Sequence, residues 1–541
     1  MKKLGAVLAV IGSMVALTLG LAACGSSGGK EGGTLKVSFA SFPDYLDPAL
    51  SYTSEGWTAM YNTYIPLLTY AHADGEEGGH VIPGLAESLP EISDGGKTYT
   101  LQLRKGLKYS DGQPVKASDF KFAVERMFEV ESGGSSFFSD IVGAEDFLEG
   151  KADSVEGVEV NDSTGKIVIR LTGPSGTLTN ELGMPFTAPL PPDTPIKNVS
   201  PNPPPATGPY AIVESNPGRN WSYERNPHWD NNNAAILPDL PGGHVDKIDV
   251  EVVRNQSIQV NDVEQGKTDW MFDTLPADRV SAVKQRYEGT QYRVEPSIST
   301  YFFWMNTTKA PFDDLKVRQA VNYAVDPAAL ERIYSGEIKT TQQVLPPGMP
   351  GYEKYELYPH DMAKAEAMIK EANPSDRDIT VWTDSLSPND DAGAYYQDLL
   401  EQLGFNAELK VLGDNFFQVV GNTSTPDLDT GWINWFEDYP HPNDFFEPLL
   451  AGSSIAPTNN TNLAQLDIPA LNKRVEELGA EQINPQVESE YAELDKEFME
   501  QAPWAPFGNR ILSLFVSSDI DMEKVIWNPT FSGDLTSFQF K

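Results

Sequence analysis

The chain has 541 residues, and its 40 lysines and arginines against 78 aspartates and glutamates give a formal net charge of −38. So acidic a chain is repelled by a phosphate backbone, which excludes nucleic acid as a partner. The length exceeds one ordinary domain and predicts about three structural units or two large lobes. One cysteine and six histidines offer no internal disulfide and no obvious metal cage, so we expect no metal and no other cofactor.

The N-terminus has the pattern of an export signal. Three residues form a basic head, an uncharged apolar run covers residues 4–23, and the run ends in small residues before Cys24. A retained transmembrane anchor is the alternative, because about twenty apolar residues can span a bilayer. The end of the run resembles the lipobox of bacterial lipoproteins, which implies a signal peptide over residues 1–23 and a lipid on Cys24. Residues 24–33 then form the lipidated cysteine and a flexible, glycine-rich leash.

The first half of the chain is dominated by strands and turns. Alternating apolar and polar residues, often beside glycine turns, predict strands at residues 34–40, 99–103, 166–171 and 248–253. Ser118 is predicted to cap a helix with one apolar stripe, formed by Phe120, Ala123, Val124, Met127 and Phe128. Residues 189–209 are so rich in proline that we expect extended surface chain there.

The second half is more helical. Apolar spacing predicts helices at residues 315–324, from Asp361 onward, and at 395–403, 474–478 and 487–499, with strands at 379–382 and 406–412. We interpret Arg318 as structural, since it lies on a helix whose apolar face packs. Strands alternating with helices predict an α/β protein with a mixed or parallel sheet covered by helices.

Catalytic motifs are scarce. Two Gly-Lys-Thr segments lack the upstream glycine of a phosphate-binding loop, and an S-x-x-K match at Ser118 lacks its companion motifs. The histidines are predicted to lie on the surface or in turns: His72, His80, His228, His244, His360 and His441. We therefore expect a protein that is not an enzyme, with a secreted hydrolase as a remote alternative.

Residues 411–472 contain no lysine or arginine but many acidic and aromatic residues. They could be core aromatics with solvated acids, or a cleft wall that stacks on apolar groups and holds a cation. The strongest piece is Trp435-Phe436-Glu437-Asp438-Tyr439-Pro440. An acid buried among aromatics without a partner is costly, so this segment favours a ligand cation.

Several short motifs occur in the order of one known family. They are Asp44-Tyr45-Leu46-Asp47-Pro48, Thr207-Gly208-Pro209-Tyr210, Arg225-Asn226-Pro227, Pro311-Phe312-Asp313-Asp314 and Asp438-Tyr439-Pro440. The set resembles the extracytoplasmic solute-binding proteins of the oligopeptide-binding class, family 5, that serve ABC importers. The resemblance implies a two-lobed, periplasmic-binding-protein-like α/β fold of the large, three-subdomain type, with a hinge and an interlobe ligand cleft.

The resemblance also implies domains and partners. Lobe I would span residues 34–295 with an inserted subdomain at about 76–200, lobe II residues 301–503, and residues 504–541 would return to lobe I. The partners would be an oligopeptide or related small solute, the permease subunits of the importer, and the membrane through the lipid anchor. The protein would be a monomer on the outer face of the cell membrane.

In peptide-binding relatives, the aspartate of a W-x-x-D-Y motif holds the peptide α-ammonium. The matching residues here are Trp435, Asp438 and Tyr439, and Phe436 belongs to the same wall. Trp432 stands where some relatives carry an arginine for the peptide carboxylate. Longer peptides, or a ligand without a carboxylate, are therefore expected to fit better than peptides of fixed length.

Three further residues, Tyr45, Trp304 and Asn306, match positions near the family's cleft. An alternative ligand is an oligosaccharide, or another neutral or cationic solute, stacked on Trp432 and Trp435.

Overall fold

The computed structural model describes residues 30–413 and 415–541, so the signal peptide and Cys24 lie outside the described residues. The strands are β1 (Thr34–Phe39), β2 (Leu68–Tyr70), β3 (Val81–Pro83), β4 (Glu91–Ser93), β5 (Thr98–Gln102), β6 (Val158–Asn161), β7 (Lys166–Arg170), β8 (Tyr210–Asn216), β9 (Asn220–Arg225), β10 (Lys247–Val252), β11 (Trp270–Met271), β12 (Tyr292–Pro296), β13 (Ser299–Met305), β14 (Ile338–Lys339), β15 (Asp378–Asp384), β16 (Asn406–Leu412), β17 (Thr430–Phe436), β18 (Trp504–Val516), β19 (Trp527–Asn528) and β20 (Ser532–Gly533).

The α-helices are α1 (Ser54–Tyr61), α2 (Ala117–Glu129), α3 (Ala144–Leu148), α4 (Leu178–Glu181), α5 (Ala234–Ile236), α6 (Gln256–Glu264), α7 (Ala277–Tyr287), α8 (Leu315–Ala324), α9 (Pro327–Ile333), α10 (Met362–Ala372), α11 (Asn389–Gln402), α12 (Phe416–Val420), α13 (Asn443–Leu450), α14 (Pro469–Gly479) and α15 (Pro485–Glu500). Most predicted elements are present within a few residues of their expected bounds. Strand β16 has the bounds that its alternation predicts, whereas α11 begins six residues before its predicted start at residue 395.

One mixed sheet runs through both lobes. Its strands are hydrogen-bonded in the order β16, β15, β17, β13, β18, β11, β1, β10, β9 and β8, and β12 and β14 also pair with β18. Strands β15 and β16 are parallel, as are β1 and β10, while β13 is antiparallel to both β17 and β18. The expectation of an α/β fold with a mixed sheet is confirmed.

Strand β18 carries the chain from lobe II into lobe I. Its first residue, Trp504, pairs with Trp304 of β13, and its last, Val516, pairs with Trp270 of β11. Trp504 lies in the same hydrophobic core as Trp304, whereas Val516 lies in a different core together with Trp270. We propose that the passage lies near Asn509 and Arg510.

The connection from β12 to β13 passes beside that point of β18. The backbone N–H of Ser297 donates to the carbonyl of Arg510 at 3.1 Å, and Asn509 Nδ2 donates to the carbonyl of Ser299 at 2.9 Å. Two neighbouring chain segments therefore join the lobes. We propose that these segments form the hinge, because closure of two lobes requires a few residues that absorb the rotation.

Separate hydrophobic cores fit the two-lobed organisation. The core of lobe II centres on β13, where Phe302 stacks on Trp504 with ring centroids 3.7 Å apart. Another core lies between the sheet of lobe I and the C-terminal residues, and a further core joins α2 to the small sheet β4-β5-β7-β6. This last core includes Trp57 and Tyr61, so the inserted subdomain packs on chain that precedes residue 76.

Helix α2 starts differently from the sequence expectation. Its N-cap is Lys116, whose backbone N–H donates to Asp119 Oδ2 at 2.9 Å. Ser118 lies inside the helix, and its hydroxyl donates to Asp162 at 2.9 Å. The predicted cap was wrong because Asp119, in the first turn, reaches back to the free N–H group. The apolar stripe is confirmed, since all five predicted residues are buried.

The proline-rich segment at residues 189–209 has little regular structure, but it is only partly on the surface. The buried guanidinium of Arg126 pairs with Asp47 and also donates to the carbonyls of Pro195 and Lys197, at 3.0 and 2.8 Å. Such a paired and fully hydrogen-bonded charge tolerates burial. The ion pair therefore fastens this segment to α2.

Residues 30–33 do not belong to a free leash. The backbone N–H of Lys30 donates to the carbonyl of Phe540, and that of Gly33 donates to Asp246, at 2.7 and 2.9 Å. Gly33 has a φ of +94°, which a residue with a side chain rarely adopts. The rest of the predicted leash, residues 24–29, lies outside the described part of the chain.

Candidate ligand-binding site

A cavity of about 440 Å³ lies between the two lobes at the carboxyl end of β17. Residues 434–438 form one wall, because the chain leaves β17 at Phe436 and turns toward α13. The facing wall comes from the start of α1, the loop after β11 and the C-terminal residues 527–532. Crevices at the carboxyl ends of strands are the usual ligand sites of open α/β sheets.

Asp438 lies partly exposed in this cavity and reaches the opposite lobe. Its Oδ2 accepts a hydrogen bond of 2.9 Å from the hydroxyl of Tyr52. Burial raises the pKa of Asp438 to about 7, although the hydrogen bond from Tyr52 lowers it. In the described lining of the cavity no lysine, arginine or histidine faces Asp438, so its carboxylate lacks the compensating charge that a desolvated anion requires.

Asp444, in the first turn of α13, holds the backbone beside Asp438. Its Oδ2 accepts from the backbone N–H of Asp438 at 2.9 Å and from Trp435 Nε1 at 3.3 Å. Burial, followed by the neighbouring charge of Asp438, raises the pKa of Asp444 well above its ordinary value. Asp444 therefore fixes both the acid and the indole ring that face the ligand space.

Glu437 adds a third carboxyl group. It is only 7% exposed, and its Oε1 accepts from the hydroxyl of Thr530 at 2.7 Å. Its Oε2 has no hydrogen-bond partner within residues 30–413 and 415–541. Burial, followed by the hydrogen bond from Thr530 that lowers it and the charge of Asp438 that raises it, brings the pKa of Glu437 to about 8.

The remaining lining is acidic and aromatic. Glu55 and Asp273 add negative charge from lobe I, and among the described residues no lysine, arginine or histidine lines the cavity. Aromatic rings supply much of the apolar surface: Tyr52, Trp57, Phe272, Phe417, Trp435, Phe436 and Trp527. Such a surface can hold an ammonium group by charge and by cation–π attraction, and can pack against apolar groups.

The structure brings together three of the residues expected from the sequence. Trp435, Phe436 and Asp438 line the cavity. Tyr439 does not line it, since its buried ring packs edge-on against Phe137 of the inserted subdomain, with centroids 5.8 Å apart. Its role is a contact between the lobes beside the ligand space.

The other expected residues lie elsewhere. Trp432 is buried in the core of lobe II, where its Nε1 donates to the hydroxyl of Tyr334 at 3.0 Å. Trp304 is fully buried in the same core, and Asn306 Nδ2 donates to the carbonyl of Leu428 at 2.8 Å. These residues lie toward the start of β17 rather than at its carboxyl end, and none of them lines the cavity.

Tyr45 is half-buried in the loop before α1 and is not among the residues that line the cavity. Of the two tryptophans that the sugar alternative names, Trp435 lines the cavity and Trp432 does not. Cys24 lies outside the described residues.

Several lining residues were missed by the sequence reasoning. Tyr52 lies just before α1, Trp57 lies in the first turn of α1, and Asp273 follows β11. No sequence motif connects these residues to Asp438. Phe417 and Glu437 did carry a signal, because both line the cavity and belong to the stretch without basic residues. The other positions come together only through packing between the lobes.

Two of the six histidines, predicted to lie on the surface or in turns, lie in bends of the chain but away from the surface. His441 is fully buried, its Nδ1 accepts from the backbone N–H of Asn443 at 3.1 Å, and burial lowers its pKa to about 3. His72 pairs with the buried Asp534 at 2.5 Å. Within residues 30–413 and 415–541, no group of histidine, cysteine, aspartate and glutamate side chains could hold a metal ion.

The profile described as "Bacterial extracellular solute-binding proteins, family 5 Middle" matches residues 80–457, which is more than half of the chain. The chain belongs to this family. The expected family membership is thereby confirmed, and the family is one of extracellular binding proteins. In the part of the chain that the structure covers, no helix is both long and apolar enough to cross a membrane.

Curated relatives of this family 5 protein include binding proteins for peptides. It is 26% identical over 474 residues to the oligopeptide-binding protein OppA of Bacillus subtilis (strain 168), covering 81% of this chain and 83% of that protein. It is also 26% identical over 397 residues to the dipeptide-binding protein of Escherichia coli (strain K12), covering 69% and 70%. Both relatives are binding proteins rather than enzymes.

Solved structures share the fold. The "Clavulanic acid biosynthesis oligopeptide binding protein 2" superposes with a TM-score of 0.86 at 25% identity, covering 94% of this chain and 96% of that one. The Haemophilus influenzae OppA complex with RPPGFSPFR gives a TM-score of 0.73 at 20% identity, covering 95% and 100%. These likenesses confirm the expected periplasmic-binding-protein fold.

Proposed function

We propose that this protein is the extracytoplasmic binding protein of an ABC importer and that it captures oligopeptides between its lobes. Asp438 holds the α-ammonium group of the peptide. The observation that carries this assignment is the position of Asp438, in an interlobe cavity whose described lining contains no basic side chain. The curated relatives support the ligand class, since their names specify oligopeptides and dipeptides.

The energetics favour an ammonium ligand. A carboxylate with a pKa raised by burial gains most from a cation that enters the same site. A charge-assisted hydrogen bond is about twice as strong as a neutral one, and the hydroxyl of Tyr52 already fixes the orientation of the Asp438 carboxylate. The α-ammonium of any peptide meets this requirement, so recognition does not depend on the side chains.

The same charges exclude a peptide carboxylate from the cavity. Glu55, Asp273, Glu437 and Asp438 line it, and none of the described lining residues is basic, so a carboxylate inside would be unpaired. We therefore propose peptides long enough for their C-terminus to lie outside the cavity. A cationic solute without a carboxylate is the second candidate, because it matches the same acidic and aromatic lining.

Ligand binding would stabilise the closed arrangement of the lobes. The Tyr52–Asp438 hydrogen bond joins residues of opposite lobes, and Gln482 Nε2 donates to the carbonyl of Ser175 at 2.9 Å across the same boundary. A ligand that contacts both walls gains these contacts only when the lobes close. The closed form would then be the one that the permease recognises.

A lipid on Cys24 would hold the protein at the outer face of the membrane. Five residues separate Cys24 from Lys30, which is bonded to the folded body. Five extended residues reach at most about 18 Å. The anchor would thus keep the binding protein close to its permease.

The test is calorimetry with one peptide and its N-acetylated twin. We expect acetylation to weaken binding about tenfold to hundredfold, because it removes the cation. Asp438→Asn should abolish the difference between the twins, whereas Asp398→Asn, the same change on the exposed side of α11, should keep it. Equal affinities of the twins for the unmodified protein would rule out Asp438 as the ammonium site. Native mass spectrometry of gently purified protein would separate peptides from other cationic solutes.

A further inference from the structure

A second cavity, of about 250 Å³, lies in lobe II behind the wall that carries Trp435. It shares Phe417, Asn434 and Trp435 with the interlobe cavity, so the two spaces adjoin at these residues. We propose that this side pocket receives one large apolar side chain of the captured peptide. The inference rests on the proposed function, because it requires a peptide in the interlobe cavity.

The side pocket is built on one face of the sheet. Phe302 of β13 pairs directly with Ile433 of β17, and Trp435 follows two residues later on the same face. Val420 of α12 and Leu449 of α13 complete the apolar lining. The pocket therefore has rigid walls, made by two paired strands and two helices.

The lining offers apolar contact and no charge. Among the described residues, no acidic or basic side chain lines the pocket. Two polar residues of the lining are already bonded, since Asn460 Nδ2 donates to the carbonyl of Asn462 at 2.9 Å and the hydroxyl of Thr461 donates to the carbonyl of Pro448 at 2.6 Å. A charged ligand side chain would lose its water there without compensation.

The size selects a large side chain. A cavity of about 150 Å³ with an apolar lining is sufficient for benzene, so this pocket has room for an indole or a leucine side chain. Full burial of such a side chain corresponds to about a tenfold to hundredfold gain in affinity. Alanine or glycine would leave most of the space unfilled.

Trp435 connects the pocket to the ammonium site. Its Nε1 donates to Asp444, the same carboxyl group that accepts from the backbone N–H of Asp438. This hydrogen bond holds the indole ring of Trp435 in the wall that the two cavities share, between Asp438 and the side pocket. Three residues of strand correspond to about 10 Å, so a side chain near the N-terminus of an extended peptide can reach the entrance. Phe417, 61% exposed, stands at the wall common to both cavities.

The test uses pentaalanine and peptides in which one of its first four positions is leucine, tryptophan, lysine or aspartate, each free and N-acetylated. Calorimetry should find one position at which leucine or tryptophan binds about tenfold to hundredfold tighter than alanine, while lysine and aspartate there give no gain. Ile433→Phe, which places a ring in the pocket, should remove that gain, so that the leucine, tryptophan and alanine peptides bind this variant with equal affinity. Val411→Phe, on the exposed edge strand β16, is the matched control and should keep the gain.

The outcomes separate the two proposals. A flat side-chain series, or a gain that persists in Ile433→Phe, would overturn the side pocket even if acetylation still weakens binding. A side-chain gain without any effect of acetylation would retain the pocket and remove Asp438 as the ammonium site. No binding of any peptide would count against both. Because each comparison is between ligands of one variant, a partly unfolded variant cannot imitate the expected pattern.

Discussion

The hydroxyl of Tyr52 donates a hydrogen bond of 2.9 Å to the carboxylate of Asp438, although the two residues are 386 positions apart in the chain. The bond crosses the interlobe cavity and joins the loop before α1 to the end of β17. The hydrogen bond holds Oδ2 of Asp438, in the proposed ammonium site, in one position before a ligand binds. It also makes Asp438 sensitive to whether the lobes are closed.

Tyr52→Phe should weaken the binding of a peptide with a free N-terminus by about tenfold, as expected for one hydrogen bond to a charged group. The substitution also removes a contact that lowers the pKa of Asp438, so that carboxyl group should titrate at a higher pH. Calorimetry at several pH values measures both effects. Tyr45→Phe is the matched control, since Tyr45 does not line the cavity, and unchanged affinity in Tyr52→Phe would contradict the proposed geometry.

Peptide affinity should rise with pH below neutrality. Burial raises the pKa of Asp438 to about 7, and an ammonium ligand requires the ionised carboxylate. Between about pH 5 and 7, binding must therefore release a proton, and affinity should increase by up to about tenfold per pH unit. Calorimetry in two buffers with different ionisation enthalpies counts the proton. In Asp438→Asn the rise should become shallower but not vanish, because burial also raises the pKa of Glu437 and Asp273 in the same cavity. An affinity that falls as pH rises in the unmodified protein would contradict the assignment.

Glu181, at the end of α4, should make the folded protein less stable as pH rises. Burial raises its pKa to about 8, whereas an unfolded chain has a glutamate pKa of about 4.3. The folded state therefore holds the extra proton between these values, and the stability it contributes below about pH 4.3 is lost as pH rises through 8. Glu181→Gln removes this dependence.

Thermal unfolding at pH 5, 7 and 8.5 tests this prediction. The variant should gain stability relative to the unmodified protein by up to about 1.4 kcal/mol for each pH unit within that window. Asp398→Asn, which changes an exposed carboxyl group, should show no such trend. A constant difference between Glu181→Gln and the unmodified protein at all three pH values would count against the buried proton.

The buried Asp47–Arg126 pair should be essential for stability. Arg126 Nη1 and Nη2 donate to the two carboxylate oxygens of Asp47, at 2.9 and 2.6 Å, and both side chains are fully buried. Arg126→Met leaves the aspartate unpaired and should lower the free energy of unfolding by about 3–5 kcal/mol. The double variant with Asp47→Asn should be less destabilised than the sum of the single variants.

Denaturant unfolding measures these changes. The matched control is Arg170→Ala, which breaks an exposed pair with Glu159 and should have little effect. Additive single substitutions at Asp47 and Arg126 would show that the two groups do not depend on each other. Limited proteolysis should also cut residues 189–209 faster in Arg126→Met, because Arg126 holds the carbonyls of Pro195 and Lys197.

Local sequence patterns predicted much of the fold. The apolar stripe of α2 and the alternation of β16 identify each element, because burial on one face imposes a period of 3.6 or 2 on the sequence. Helix ends were less predictable. Ser118 is a good cap in isolation, but Asp119 occupies that role, since a side chain in the first turn can serve the free N–H as well.

The site was only partly predictable. The motif that contains Trp435 and Asp438 identified the acid and the ring at the end of β17. The motif could not show that Trp432 is buried, because its sequence neighbours are as aromatic as those of Trp435. In the structure, Trp432 lies inside the lobe II core. Whether a residue of a strand is buried or faces a cavity depends on which helices and loops cover the strand at that point. Those helices and loops come from many segments of the lobe.

The sequence by itself determined the family, the α/β class and the concentration of acids and aromatics without basic residues near Asp438. Only the tertiary structure decided that Tyr52 meets Asp438, that Glu437 Oε2 finds no hydrogen-bond partner among the described residues, and that an apolar pocket adjoins Trp435. The physical reason is that periodicity and composition reflect the environment of one segment at a time. A cavity between lobes is made by segments hundreds of residues apart, and their meeting depends on the packing of both lobes.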